Sequence, residues 1–417
     1  MYQVDWIERI KAKRPITGRR AHVTVSRTVW YLGFTSLFTD ISSEMVASTL
    51  PMYLVLHLGL SPLQFGFVDG LYQGMTALLR LVSGLIADRW RRYKEVAAAG
   101  YGLSAICKMG LLWAGSVWPM LVTVIAVDRV GKGLRSAPRD ALLSLSMAQE
   151  HLGVAFGVHR TLDAGGAMLG PLGAFALLLL APGAYDVLFI VSFCVALIGL
   201  GVLVLFVENC QAVTVSTDRL MVSLGLAIGL LREPRFRGIA LAGGLLSLAT
   251  ISDNFIYLAL QQRMQFSGSK FPLLSFFTAL FYVVLAVPLG HLADRVGRST
   301  VFLGGYGVLL LLYSVASVVG SNFAAFVGCT ALLGAYYAAT DGVLMAMASA
   351  VLPTDLRTSG LAVLTTVTSL MRLLSSVLLG WLWTTGGGLA ALHWFLAGLM
   401  GAIVMASFWL HHRAEDV

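Results

Sequence analysis

Three sets of ionisable residues lie inside stretches that are otherwise apolar, and their spacing decides what chemistry they could perform. Each such charge costs about 2.5–3.5 kcal/mol near the centre of a bilayer, so each needs a partner or a purpose. Asp40 and Glu44 stand four apart in Thr39-Asp40-Ile-Ser42-Ser43-Glu44 and therefore share one helix face. Two carboxyls this close repel when both are ionised, which is the arrangement of a proton-coupling site. An equally open reading is structural, with one carboxyl neutralising an arginine of a neighbouring helix.

The second set is basic. Asp128, Lys132, Arg135 and Arg139 step by four, three and four along one helical stripe, with Arg129 beside it and Asp140 following. A basic stripe cannot face lipid. Arg129 and Lys132 are expected at cavity depth, where they would meet an anionic or zwitterionic organic molecule. Arg135 and Arg139 are expected nearer the cytoplasmic mouth as part of a gate, and Pro138 to bend or end the helix. In the third set His159 and Asp163 are one turn apart, with Arg160 beside them. A neutral imidazole against a carboxylate could relay protons near neutral pH, or could simply be a satisfied hydrogen-bonding pair. The second half of the chain is poorer in charge and offers Asp253, Asn254, Asp341 and Arg372 as cavity candidates. Asp69 and Arg80 are assigned to packing or to a latch.

These residues must be positioned by membrane helices. Of the 417 residues 58% are apolar and 12% charged, against about 25% charged in a soluble domain. The bilayer is therefore the solvent for most of the chain. Forty-four glycines against 11 prolines fit closely approaching membrane helices. The formal charge of +8 sits in short clusters between apolar segments rather than in one patch, which argues against a nucleic-acid partner. Cys107, Cys194, Cys210 and Cys329 are far apart, so no CxxC metal or redox motif exists, and no metal or cofactor is expected. Neither HExxH nor GxSxG occurs, which argues against an enzyme. Residues 1–29 lack an apolar h-region, so no cleavable signal peptide is expected.

Stretches long enough to span hydrocarbon, about 20 residues each, recur at 28–57, 62–88, 94–114, 117–147, 152–181, 184–207, 236–263, 271–293, 299–319, 322–350, 357–383 and 387–411. The expected fold is an all-α membrane protein of twelve transmembrane helices in two six-helix pseudo-symmetric bundles, 28–207 and 236–412. A cytoplasmic loop, 208–235, joins them, with Leu220–Leu231 as an interfacial helix. Segments 1–27 and 413–417 are read as cytoplasmic ends. Orientation follows from the basic residues. Arg9, Lys11, Lys13, Arg14, Arg19, Arg20 and Arg27 precede the first span, while the connections His57–Pro62 and Gly115–Pro119 carry no Lys or Arg. Both termini are thus expected in the cytoplasm of a bacterium, the chain crossing its inner membrane.

One phrase occurs twice. Gly84-Leu-Ile-Ala-Asp88-Arg89-Trp-Arg91-Arg92 joins the second and third spans, and Gly290-His-Leu-Ala-Asp294-Arg295-Val-Gly297-Arg298 the eighth and ninth. The glycine permits close helix approach, and the aspartate can pair with an arginine as a latch on one conformation. A topogenic basic loop would explain the arginines but not the repeated Gly-x-x-x-Asp-Arg. In these two phrases the chain resembles the major facilitator superfamily, although Arg91 replaces the glycine of the second copy. Arg129-Val-Gly-Lys132-Gly133 is similar to that family's Arg-x-x-Gln-Gly motif, with Lys for Gln. Gly165-Gly166-Ala-Met-Leu-Gly170-Pro171-Leu-Gly173 is similar to its Gly-Pro motif, common in exporters and antiporters, where small residues could equally serve packing. Arg135-Ser-Ala-Pro-Arg139-Asp140 is similar to a phrase of bacterial facilitators that carries no settled substrate.

The resemblance implies a secondary transporter working by alternating access between two halves. Proton-coupled efflux of a small anionic or zwitterionic metabolite, siderophore or drug is the leading expectation, by a monomer whose partners are cargo, protons and lipid. An importer of the same fold and a metal-ion exporter are the alternatives, and a membrane enzyme or receptor ranks last. Most charge lies in the first, fourth and fifth spans, so the C-terminal half is expected to contribute mainly shape.

Overall fold

A computed structural model describes residues 25–75, 92–147, 151–208, 229–318, 320, 322–353 and 356–411. Every regular element among them is helical. The helices are α1 (Arg27–Ala47), the short α2 (Leu50–His57, its last turn widened to π geometry), α3 (62–75), α4 (Tyr93–Ala114), α5 (Trp118–Leu145), α6 (Leu152–Leu180) and α7 (Tyr185–Phe206). After the central connection come α8 (Pro234–Leu248), α9 (Asp253–Met264), α10 (Pro272–Val296), α11 (Arg298–Val318), α12 (Phe323–Val351), α13 (Arg357–Gly386) and α14 (Gly388–His411). The repeated phrase's first copy, with Gly84, Asp88 and Arg89, and Arg80 lie outside the described residues. So does most of the expected interfacial helix, of which Leu230–Arg232 forms one 3₁₀ turn.

Nine helices among the described residues are long and apolar enough to cross a membrane, counting α8 with α9 as one span of 31 residues. α1 and α5 have the length, at 21 and 28 residues, but carry the carboxyls and the basic stripe. Large apolar side chains such as Trp113, Leu180, Leu205, Val318 and Phe408 project outward. That much exposed apolar surface is the signature of a lipid-facing exterior rather than a water-facing one.

Two expected spans are broken, and both breaks have a local cause. α1 ends where the hydroxyls of Ser48 and Thr49 turn back to the Met45 carbonyl and Pro51 enters the chain without an N–H. The span expected over 236–263 divides at 249–252 into α8 and α9. Backbone groups freed inside a membrane must be satisfied by neighbours. Here the Ile251 N–H donates to the Tyr313 hydroxyl at 2.6 Å, and the Thr250 carbonyl accepts from Ser375 Oγ at 2.6 Å. α5, by contrast, runs on through Pro138, so of the bend or end expected there the end is not made.

Residues 25–208 pack among themselves, α1 against α6 and α7 and α4 against α5; residues 229–411 do likewise, α12 against α10 and α11 and α8 against α13 and α14. The two parts meet along α6 and α10, α2 and α9, and α3 and α13. Gly166 and Gly170 set the α1–α6 contact. A Cβ on Gly166 would stand 2.6 Å from the Leu37 carbonyl oxygen, and one on Gly170 would stand 2.7 Å from Glu44 Cβ and 2.8 Å from the Ile41 carbonyl oxygen. The Gly-Pro phrase therefore seats α6 on the face of α1 that carries Asp40 and Glu44. Gly290 is the reverse case. A Cβ there would meet nothing within 4 Å, so the close approach expected from the repeated phrase is not made at that glycine.

Gly170→Ala is expected to destabilise the protein by about 1–3 kcal/mol through overpacking, whereas Gly290→Ala should stay within about 0.5 kcal/mol of the wild type. Reversible unfolding in mixed micelles checks both; equal effects would remove the packing role given to Gly170.

Candidate functional site

A cavity of ≈ 460 Å³ opens between the two parts of the chain, a size that suits one small organic molecule. Glu44 of α1, Tyr72 and Gln73 of α3, Lys132 of α5 and Pro171 of α6 line one side. Asp253, Asn254 and Tyr257 of α9, Tyr282 of α10, and Tyr337 and Asp341 of α12 line the other. The break before α9 is what brings Asp253 and Asn254 to the wall, in the first turn of a helix whose dipole favours a carboxylate there. Tyr337 donates its hydroxyl hydrogen bond to Asp253. Asp341 pairs with Arg372 of α13 at 3.6 Å, and the Arg372 guanidinium lies 6.0 Å from the Tyr337 ring centre.

Behind the α1 wall lies a second layer of charge. Asp40 and Glu44 share a face but not an environment, since Glu44 opens on the cavity while Asp40 meets Arg135 of α5 at 3.5 Å. The Asp163 carboxyl of α6 lies beside that of Asp40, close enough for the two acids to interact electrostatically. Asp163 accepts from Ser36 Oγ at 2.6 Å and faces Arg139 at 3.8 Å and Arg160 at 3.6 Å. Arg139 donates in turn to Ser36 Oγ at 3.2 Å and to Asp140 at 3.0 Å. Three helices are thereby tied at one point.

Several expected positions change. Arg135 and Arg139, expected towards the cytoplasmic mouth, are buried, where the carboxyls of Asp40, Asp140 and Asp163 neutralise them. Arg129, expected at the cavity, is 3% exposed and turns away from it. It pairs with Asp128 and stacks 3.7 Å from the centre of the Tyr72 ring, an attraction that strengthens when the cation is desolvated. Of the stripe only Lys132 reaches the cavity wall. Arg160 has a side chain 60% exposed and pairs along its own helix with Asp163. His159 is buried, and its Nε2 has no hydrogen-bond partner among the described residues, so that nitrogen does not join it to Asp163.

In the second copy of the repeated phrase Asp294 pairs with Arg298 at 3.1 Å, and Arg298 donates to the Ala346 carbonyl at 3.2 Å. This ties α10, α11 and α12 to one another, with Arg295 exposed beside them. The expectation that the C-terminal half gives mainly shape also changes, since Asp253 and Asp341 are two of the three carboxyls on the cavity wall.

Among the residues that sequence reasoning missed are Lys108 and the tyrosines of the wall. Lys108, 3% exposed, donates to the Ser104 carbonyl at 3.1 Å beside the Arg129 pocket; a lone lysine amid an apolar run was the available signal. Tyr72, Tyr257 and Tyr337 gave none, because nothing in the sequence separates them from the other tyrosines.

The arrangement of helices and the sequence are both matched by known proteins. Residues 32–277 and 239–416 each match the Major Facilitator Superfamily. The chain belongs to this family. An uncharacterized MFS-type transporter of Methanocaldococcus jannaschii is 28% identical over 91% of this chain and 94% of its own length. An uncharacterized protein of Mycobacterium tuberculosis is 37% identical over 43% of this chain and 42% of its own. Among solved structures, a nucleoside transporter superposes with a TM-score of 0.77 at 14% identity, over 92% of this chain and 99% of its own. A peptide transporter, solved with alafosfalin, superposes with a TM-score of 0.76 at 14% identity, over 96% of each chain. The shared feature is the fold. Membership makes this facilitator a multi-pass secondary transporter, not an enzyme.

The Asp40–Arg135 tie predicts a specific coupling. Arg135→Ala leaves a buried carboxyl unpaired and should cost about 3–5 kcal/mol, much of it returned when Asp40→Asn is added. A double-mutant cycle in unfolding experiments checks this, and additive effects would show that the pair does not act as one unit.

Proposed function

We propose that this facilitator is a proton-coupled exporter of a small zwitterionic organic compound, working by alternating access between two pseudo-symmetric six-helix bundles. The observation that carries the reading is the contiguity of Glu44 and Asp40. One opens on the cavity, the other meets Asp163 and Arg135 one helical turn away. A proton taken up at Glu44 has a second carboxyl site within one turn, and a positive charge at Arg135 answers the carboxyl when that proton leaves. Such a pair ties proton occupancy to the α1–α5–α6 contact, which is the kind of two-state element that alternating access needs.

The cargo class follows from the wall. The carboxyls of Glu44, Asp253 and Asp341 face the ammonium of Lys132, with Arg372 behind Asp341. A purely anionic cargo would meet like charge on three sides, so of the two classes expected from the basic stripe the zwitterion is the better supported. Its cationic group would lie by the carboxyls and its acceptor end by Lys132 and Asn254. Aromatic rings of Tyr72, Tyr257, Tyr282 and Tyr337 would pack against its apolar body. Export rather than import is supported by the likeness of the Gly165–Gly173 phrase to that of exporters. The membrane is the bacterial inner membrane, with both termini cytoplasmic on the strength of the basic loops, and the working unit is the monomer. The metal-ion alternative has less support. Among the described residues no three of His, Cys, Asp and Glu come together as a metal would need.

The test is flux of protons and cargo by the purified protein in proteoliposomes carrying a pH-sensitive dye, against a panel of zwitterionic and anionic compounds, with right-side-out and inverted vesicles separating export from import. Asp40→Asn and Glu44→Gln are each expected to abolish gradient-driven proton movement. Proton flux retained in both variants would overturn the coupling assignment. Lys132→Ala should weaken cargo affinity by about tenfold, the loss of one charge-assisted hydrogen bond. Arg129→Ala should act on stability instead, because it strands Asp128 away from the cavity.

A further inference from the structure

The two parts of the chain touch most closely where α3 meets α13. Gly66, Gly70 and Gly74 recur every fourth residue along α3 and so form one face. A Cβ on Gly66 would strike the Ser376 carbonyl oxygen, and one on Gly70 would stand 2.9 Å from the Leu373 carbonyl oxygen. From the other side, a Cβ on Gly380 would stand 3.2 Å from Gly66 Cα. The helices therefore meet backbone to backbone. The Leu63 N–H donates to Thr384 Oγ1 at 3.1 Å, and Phe65 stacks edge-on against Phe255 with ring centres 4.8 Å apart. All of these contacts join the first part of the chain to the second, at the end where α3 begins and α13 finishes.

Asp69 lies inside this contact and is 1% exposed. Among the described residues neither of its carboxylate oxygens is answered by its own half. Oδ1 accepts from Asn254 Nδ2 at 2.7 Å and Oδ2 accepts from Ser376 Oγ at 2.6 Å, both donors standing on the second part. Hydrogen bonds to a carboxylate in a dry contact are the strong kind, and leaving either oxygen unanswered there is costly. The seam cannot part without breaking both. Asn254 also lines the cargo cavity beside Asp253, so one amide belongs to the seam and to the cavity wall together. Ordinary packing glue would explain a buried polar contact between helices. It does not explain a carboxyl whose two oxygens are both held from across the moving interface, one of them by a cavity residue.

We propose that Asp69 is the gating residue of this seam: it holds the two halves shut at that end through Ser376 and Asn254, and through Asn254 it links the state of the seam to the cavity. The inference rests on the alternating-access reading. A cargo acceptor group that draws the Asn254 amide into the cavity takes one of the two hydrogen bonds that keep the seam closed.

Hydrogen–deuterium exchange of the full chain in lipid nanodiscs tests the gate without any cargo. In Asp69→Asn, peptides covering 62–75, 373–384 and the first turns of α9 should exchange on the order of tenfold faster, the factor expected for losing a charge-assisted contact. Peptides of α4, which packs against α5 and α7, should be unchanged. Ser376→Ala should give the same local pattern at smaller amplitude, and adding it to Asp69→Asn should change little more. A merely structural role would instead speed exchange through both halves and make the two substitutions additive. That result, or unchanged exchange at the seam, overturns the proposal. If Asp69→Asn fails to fold, Ser376→Ala decides alone: no local acceleration removes the gate. Flux by the wild-type protein is measured separately, so loss of the gate and loss of the transport reading are distinguishable.

Discussion

A charge inside hydrocarbon must find an opposite charge or a hydrogen bond within a few ångströms, and the arrangement of α1, α5 and α6 is the solution to that requirement. α1 brings two carboxyls, α5 brings mainly base with Asp128 and Asp140 among it, and α6 brings Asp163 with Arg160 beside it. None of the three helices could stand alone in lipid with its polar face uncovered. Gly166 and Gly170 let α6 come close enough for Asp163 to reach Asp40, and the unbroken passage of α5 through Pro138 keeps Arg135 and Arg139 on the same stripe. Packing and electrostatics are therefore not separable here. The glycines set the distance at which the charges can answer one another.

The same accounting applied to the backbone explains the break between α8 and α9. A helix interrupted in a membrane exposes N–H and C=O groups that lipid cannot satisfy, so a break persists only where neighbours supply partners. Tyr313 and Ser375 do so. The result is a helix that begins at cavity depth, with Asp253 and Asn254 at its first turn and Tyr337 fixing the Asp253 carboxyl. A continuous helix would carry the same residues, but without the widened approach to the wall and without the dipole that favours a carboxylate at a helix start.

How much of this could be read from the sequence depends on the range of the interaction. The spans were legible because apolar length is a local property, and so were the intramembrane charges Asp40, Glu44, Asp163, Asp253 and Asp341, which stand out against their surroundings. The stripe on α5 was legible as a stripe. Its division was not: Arg129 turns from the cavity because Tyr72, more than fifty positions earlier, offers it a ring, and no local pattern carries that information. Pairings between distant helices, Arg135 with Asp40 or Asp69 with Asn254, fail to show for the same reason. Gly290 marks the opposite case, a residue type that permits close approach at a place where none is made. The tyrosines of the wall were invisible because a cavity tyrosine and a packing tyrosine differ only in what lies opposite them.

The asymmetry between the halves takes a different form from the one that charge counting suggests. Counting places the larger share of the ionisable residues in the first half, yet the buried ones are largely spent on one another: Asp128 on Arg129, Asp40 on Arg135, Asp163 on Arg139. What a cargo would meet is what stands at the wall: Glu44 and Lys132 from the first half, and from the second Asp253 and Asp341, the latter with Arg372 behind it. Net charge along the chain is therefore a poor guide to the polarity of a cavity in a membrane protein, because pairing is compulsory and removes charge from view. The second half, with fewer charges and fewer partners for them, presents a larger fraction of what it has. On the proposed reading this divides the labour by chemistry rather than by shape. The first half holds the charges that can change their proton occupancy, while the second presents the Asp253 carboxyl and Asn254 amide that face the cargo and, through Asp69, reach the seam.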